Sequence, residues 1–240
     1  MGQLDGKIAI ITGGGTGIGK GIGRAFAREG ANLVIAARRQ EHLISAAEEF
    51  RELGAQVETI TTDVTDEDQV RALFEATMSR FGKLDLLVNN SGAFDGGPIE
   101  DISLDTWQKV IGVNLTGVFL CTREAMGIMK KQNGGRIINI GSISAQVPRM
   151  DSSPYTTSKH GLVGLTKSTA LEGRAFNISA GCLHPGNTSK EFSQSVQDAE
   201  PMMNVDELAS VALAMAALPA HVSVLDAIVL PYRQDYVGRG

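Results

Sequence analysis

A chain of 240 residues has room for one large α/β domain or two small ones, and 42% hydrophobic with 20% charged residues excludes a disordered chain. The net charge of −5 argues against a nucleic-acid binder, which presents a basic face to phosphates. Cys121 and Cys182 stand outside any CxxC or zinc spacing, so two small buried hydrophobes are expected rather than a metal or disulfide framework.

The opening Met1–Lys7 lacks the charged-then-apolar pattern of a signal peptide, and Gly6 stands where a myristoylation signal has Ser or Thr. No apolar run approaches the roughly 18 residues of a membrane span, so a cytoplasmic protein without membrane contact is expected. The chain then alternates strands and helices. Ile8–Ile11 reads as a strand, followed by glycines and a helix with Ile18, Ile22 and Phe26 on one face, closed at Gly30. Leu33–Ala37, Val57–Ile60, Leu84–Val88 and Arg136–Ile140 read as further strands. The helices between them span Glu41–Leu53, Asp66–Phe81 and one long stretch, Thr106–Lys131. Ser153-Pro154 supplies an N-cap and a first-turn proline for a helix to about Ala175. Strands at Ile178–Leu183 and Val222–Leu230 flank a last helix, Val205–Leu218. The alternation predicts a Rossmann-type doubly wound parallel sheet of about seven strands, helices on both faces, in a single domain spanning 1–240.

Between the first strand and helix lies Thr12-Gly-Gly-Gly-Thr-Gly-Ile-Gly19. Glycines there let backbone approach a pyrophosphate at a helix amino end, the usual ligand crevice of such sheets. The strict GxGxxG string is absent, and a turn serving only tight strand–helix packing has the same composition. The binding reading takes Gly13, Gly15, Thr16, Gly17, Ile18 and Gly19 as the cradle. The second strand runs into Arg38 and Arg39, with no acid to hold ribose hydroxyls. Arginine there accepts a 2′-phosphate and favours NADP(H) over NAD(H); the alternative is a pair of solvated helix-start charges.

Tyr155-Thr-Thr-Ser-Lys159 places a phenol and an ammonium at i and i+4 on one helical face, where the cation stabilises a phenolate. Taken with the glycine turn, Asn89-Asn90-Ser91-Gly92 after the fourth strand and Ser142 upstream, the chain resembles the short-chain dehydrogenase/reductases over nearly its whole length. It is most similar to their NADP-preferring, 3-oxoacyl reductase-like branch. The resemblance implies hydride transfer between a nicotinamide and a small carbonyl or secondary alcohol. It makes Tyr155 the acid–base and Lys159 the group that lowers its pKa and holds the nicotinamide ribose. Ser142 becomes the hydroxyl on the substrate oxygen, and Asn114 the anchor of a water in the proton relay. Asp63 and Val64 are placed beside the adenine, Asn90, Ser91 and Gly92 near the adenosine ribose, and Pro185, Gly186 and Thr188 at the nicotinamide amide. It also implies a homodimer or homotetramer, for which Gly161 and Gly164 would let helices approach closely.

Several positions depart from the family pattern. Ser91 replaces an alanine, Lys190 stands where a threonine is common, and the usual Val-Asp-Gly-Gly tail is missing. His184 precedes Pro185, either facing the pocket or serving as a structural histidine. A substrate pocket is expected from Ala145–Ser153, Phe94 and a short lid over about 187–203 that includes Phe192 and Met202. Its mixed lining suits a neutral, moderately apolar ketone or aldehyde. Two other classes share parts of the pattern. A non-catalytic dinucleotide sensor or scaffold would have no need of Asn114, Ser142, Tyr155 and Lys159 together. A sugar-nucleotide epimerase would carry a larger carboxyl-terminal substrate domain than the roughly 55 residues left here.

Overall fold

The computed structural model describes residues 2–189 and 201–235. Its elements in order are β1 (Ile8–Thr12), α1 (Gly17–Arg28), β2 (Asn32–Ala37), α2 (Gln40–Glu52), β3 (Val57–Thr61), α3 (Glu67–Phe81) and β4 (Leu86–Asn89). There follow α4 (Leu104–Ile111), α5 (Gly117–Gln132), β5 (Gly135–Ile140), α6 (Ser153–Gly173), β6 (Ile178–Pro185), β7 (Thr188–Ser189), β8 (Met203–Asn204), α7 (Val205–Ala217) and β9 (Asp226–Val229). Seven strands form one parallel sheet in the order β3-β2-β1-β4-β5-β6-β9, and β7 and β8 pair separately. This is the Rossmann-type doubly wound sheet. Chain direction across it reverses between β1 and β4, which opens a crevice beyond their carboxyl ends.

Successive strand residues point to opposite faces, so a strand buried on both sides must be apolar throughout. Ile10 and Ile11 divide in this way. Ile11 joins Leu33, Ile35 and Val88 beneath Ile22 and Phe26 of α1, Phe50 of α2 and Leu208 of α7. Ile10 joins Val34, Leu87 and Ile137 beneath Leu73 and Phe74 of α3 and Leu120 and Met129 of α5. Both cysteines are buried and free, as small hydrophobes would be. No helix among the described residues is long and apolar enough to cross a membrane.

Most element ends fall within two residues of those expected, with two exceptions. The long helix from Thr106 to Lys131 is interrupted by a π turn over Gly112–Thr116. That wider turn carries Asn114 into the interior, where its amide replaces regular helix packing with specific bonds. The last strand covers Asp226–Val229 only, not Val222–Leu230. Buried Arg136 explains the shortening, because its Nη2 donates to the carbonyls of Leu218, Pro219 and Val222 at 3.0–3.1 Å and curls the segment into a turn. Gly161 is also spent within the chain: a Cβ there would meet Leu115 Cδ2 at 2.9 Å, whereas Gly164 faces open space.

Gly19 is the tightest point of the α1–β1 junction, where a Cβ would collide with the Gly13 carbonyl oxygen and the Asn90 amide nitrogen. Backbone cannot yield as a flexible side chain does. Gly19→Ala is therefore expected to cost about 1–3 kcal/mol of stability, the usual range for overpacking. A urea melt of both proteins checks it, and an unchanged midpoint would refute the fit.

Candidate active site

The carboxyl ends of the strands carry two adjoining hollows. The first, about 450 Å³, is walled by Gly13, Gly15 and Thr16 of the glycine turn, by Arg38, Arg39 and His42 past β2, by Asp63 and Val64 past β3, and by Ser91 and Gly92 past β4. Gly13 and Gly17 hold φ of 65° and 53°, the left-handed region where a side chain is strained. At Gly15 a Cβ would press on His42 at 3.1 Å, so the cleft floor must stay bare. This shape fits a dinucleotide. Glycine backbone and the α1 amino end, opened by Thr16, would hold the phosphates, and the Arg38–Arg39 corner lies where an adenosine ribose would end. Neither guanidinium has an acidic partner within 4.0 Å among the described residues.

Asn90 has a structural part as well. Its Nδ2 donates to the carbonyls of Thr12 (3.0 Å) and Gly13 (3.2 Å), which ties the glycine turn to the end of β4. Asp63 folds back on Thr65, accepting from its N–H at 3.0 Å and its hydroxyl at 2.8 Å, and so fixes the wall past β3.

The second hollow, about 280 Å³, is lined by Ile18, Phe94, Ser142, Ile143, Ser144, Arg149, Tyr155, Pro185, Gly186, Asn187 and Thr188. It brings together Ser142, Tyr155 and the Pro185–Thr188 segment. Lys159 lies just beneath, its Nζ donating 2.8 Å to the Ile140 carbonyl and standing 5.6 Å from the Tyr155 ring centre. Burial lowers the Lys159 ammonium to about 8. Burial also raises the Tyr155 phenol, opposed less strongly by the neighbouring Ser142 hydroxyl and the charge of Arg149. In this geometry the lysine's proton is engaged by backbone, and at the phenol burial outweighs Ser142 and Arg149.

Asn114 is fully buried and saturated on both sides. Its Oδ1 accepts from the Ala93 N–H (2.8 Å), while Nδ2 donates to the Ala93 carbonyl (2.9 Å) and to the Ser158 hydroxyl (3.1 Å). It thereby fixes the loop after β4 against α6 one residue before Lys159. Phe94, on that loop, packs its ring edge-on to Tyr155 at 5.2 Å. α6 starts one residue earlier than expected. Its N-cap, Ser152, spends its hydroxyl on the Arg149 carbonyl (2.7 Å), closing the loop that carries Arg149.

His184 does not face the hollow. Its ring is fully buried behind Gly141, where a Cβ would collide with Nδ1. Nδ1 lies 3.2 Å from the Ser142 nitrogen and 2.9 Å from its carbonyl oxygen. Nε2 lies 2.7 Å from Asp226 Oδ1, at ion-pair distance though off the line of a hydrogen bond. A carboxylate there favours a proton on Nε2, which leaves Nδ1 to accept the Ser142 N–H. Of the expected lid, Thr188–Ser189 pairs with Met203–Asn204, while Lys190 and Phe192 lie outside the described residues.

Arg149 lies within the Ala145–Ser153 stretch expected to line the pocket, though its charge carries no weight in the sequence pattern, and one residue of the site was not expected at all. Gln234, in the unusual tail, returns to the site, where its Oε1 accepts from the Asn187 N–H at 2.8 Å and fills the space beside Gly186. No spacing or composition signals that return.

Residues 7–201 match the family model described as short chain dehydrogenase, and the chain belongs to the short-chain dehydrogenase/reductase family. Members are oxidoreductases that bind a nicotinamide dinucleotide. The chain is 42% identical to an uncharacterized oxidoreductase, YxjF, of Bacillus subtilis over 180 residues, 75% of this chain and 70% of that protein. A short-chain dehydrogenase/reductase from Mycobacterium marinum superposes with a TM-score of 0.88 at 32% identity, covering 95% of this chain and 94% of the other. A metagenomic short-chain oxidoreductase in complex with NADP superposes at 0.85 with 30% identity, covering 95% and 98%.

Removing the His184 ring would leave the buried Ser142 N–H without its acceptor, while the Ser142 carbonyl keeps the Ala145 N–H. His184→Ala is expected to lose about 1–3 kcal/mol, the cost of an unpaired buried polar group. Chemical denaturation measures this, and wild-type stability would show that the ring is not the tie.

Proposed function

We propose that the chain interconverts a small carbonyl compound and its secondary alcohol, using NADP(H) in preference to NAD(H). The observation that supports this best is the meeting of the Ser142 and Tyr155 hydroxyls in one hollow next to the dinucleotide cleft. A bound nicotinamide supplies a hydride to the carbonyl carbon in one direction and accepts it in the other. The protein's share is the oxygen. Ser142 orients it and stabilises its developing charge. Tyr155 gives it a proton, so the C=O double bond becomes an O–H and a C–H; in oxidation the same phenol removes the proton. Lys159 restores the balance of charge at the phenol and would hold the nicotinamide ribose. Asn114 keeps α6 and the loop after β4 in register for both, and Pro185, Gly186 and Thr188 would orient the nicotinamide amide.

Arg38 and Arg39 support NADP(H), because an exposed arginine without an acidic partner favours a dianionic 2′-phosphate. Arg38→Ala is expected to raise the dissociation constant for NADPH roughly 10- to 100-fold, in keeping with lost charge-assisted bonds. That for NADH should change little. Titrating nicotinamide fluorescence with each cofactor tests it; tighter wild-type binding of NADH would reverse the assignment.

A carbonyl panel with each cofactor, followed by loss of nicotinamide absorbance, tests the reaction. Tyr155→Phe should keep the fold and NADPH affinity and lose roughly 10²–10⁴ in single-turnover rate. Lys159→Met should impair both rate and NADPH affinity. A Tyr155→Phe protein with near-normal rate would move the proton donor elsewhere.

A further inference from the structure

Among the described residues that line the 280 Å³ hollow, Arg149 is the one charged side chain. It sits on the loop between β5 and α6, and its Nη2 donates to the Asn187 Oδ1 at 3.0 Å across the mouth. A neutral amide does not cancel a guanidinium. No carboxylate among the described residues lies within 4.0 Å of it, and the nearby acid of the Phe94 loop, Asp95, is taken by Lys109 at 2.9 Å. Arg149 is also absent from the walls of the dinucleotide cleft, so the phosphates have their own cradle in the glycine turn. Among the described residues the hollow therefore presents a net positive charge a short way from Ser142 and Tyr155.

We propose that Arg149 is the specificity-determining contact for a carboxylate on the substrate, which makes the preferred substrate a small oxo acid and the product the corresponding hydroxy acid. This rests on the carbonyl-reductase reading above. Guanidinium and carboxylate match in shape as well as charge, two parallel N–H donors meeting two oxygens. Asn187 holds the Arg149 fork at the rim without neutralising it. The volume limits the rest of the molecule: the 280 Å³ hollow must also admit the nicotinamide that Pro185, Gly186 and Thr188 would orient, which leaves room only for a short chain. The carboxylate takes no part in the bond changes. Hydride still reaches the carbonyl carbon and the Tyr155 proton its oxygen. The neutral ketone expected from the mixed lining is replaced by an anion because one cation outweighs several weakly polar groups in a partly enclosed site.

The test uses the purified protein with NADPH and a panel of 2-, 3-, 4- and 5-oxo acids, each beside its methyl ester. At least one acid should exceed its ester by roughly 10- to 100-fold in kcat/KM, mostly through KM, the range for a charge-assisted hydrogen bond. That advantage should shrink as salt is added. Arg149→Leu should bring the acid-to-ester ratio close to one, and Arg149→Lys should keep part of it. Binding provides a second readout: the preferred hydroxy acid should bind the NADPH-loaded protein, a pair that cannot react, and Arg149→Leu should weaken that binding by a like factor. Esters reduced as well as acids, or a ratio unmoved in Arg149→Leu, would overturn the inference while leaving the reductase reading intact. A large loss of NADPH affinity in Arg149→Leu with an unmoved ratio would assign the guanidinium to the cofactor instead and overturn it equally. If no acid or ester is reduced while another small carbonyl is, the inference fails and the reductase reading stands; if no carbonyl is reduced with either cofactor, both fail.

Discussion

The Thr12 hydroxyl, at the point where the sheet reverses direction, holds the two halves of the molecule together. It accepts the N–H groups of both Asn90 and Ser91 at 3.0 Å, and the Asn90 amide returns to the carbonyls of Thr12 and Gly13. Strands on either side of a switch point send their connections to opposite faces, so their ends separate and leave a crevice. A crevice lined by loops needs something to keep it in shape. Here a hydroxyl and an amide at the ends of β1 and β4 do so, and Gly19 must lack a side chain for the turn to come close enough. The dinucleotide cleft on one side and the hydroxyl-lined hollow on the other both depend on that seam.

The far side is held by a second set of ties, all aimed at the end of β5. Lys159 reaches the Ile140 carbonyl from α6, while His184 reaches Ser142 from β6 and is backed by Asp226 of β9. Asn114 adds the loop after β4 through Ala93 and Ser158. Four elements distant in sequence thus fix Ser142 and Tyr155 relative to one another. Such positioning matters because an error of about 1 Å in a reacting group can cost on the order of 10² in rate.

Much of this was legible in the sequence, for physical reasons. Apolar runs buried on two faces, helical periodicity and glycine turns leave strong local marks, so the sheet, its connections and the Tyr155–Lys159 face could be read directly. What stayed hidden depends on tertiary partners. The π turn at Gly112–Thr116 has no local signature, since its stability comes from Asn114 bonding to Ala93 and Ser158. The shortened β9 is set by Arg136, which reaches the Val222 carbonyl from 86 positions earlier in the chain. Gln234 and Arg149 are polar residues in polar segments, and only the fold shows that both return to the same rim.

The electrostatics of the site follow from what each group already holds. Burial keeps the Tyr155 phenol protonated, which is the form a proton donor needs at the start of a reduction. Lys159, equally enclosed, is drawn to about 8 and satisfied by a backbone carbonyl rather than by the phenol. The two groups that ease ionisation of Tyr155 are Ser142 and Arg149, and both lie on the substrate's side. A substrate oxygen that engages Ser142 and a carboxylate that engages Arg149 would occupy those same groups. Each would then stabilise the phenolate less, so the proton would sit more firmly on Tyr155 until hydride arrival makes the substrate oxygen basic enough to take it. On the proposed reading, the substrate oxygen and carboxylate take up Ser142 and Arg149 at the mouth of the hollow, and the ammonium of Lys159 stands beneath the Tyr155 ring, 5.6 Å from its centre, to offset the charge that proton transfer leaves there.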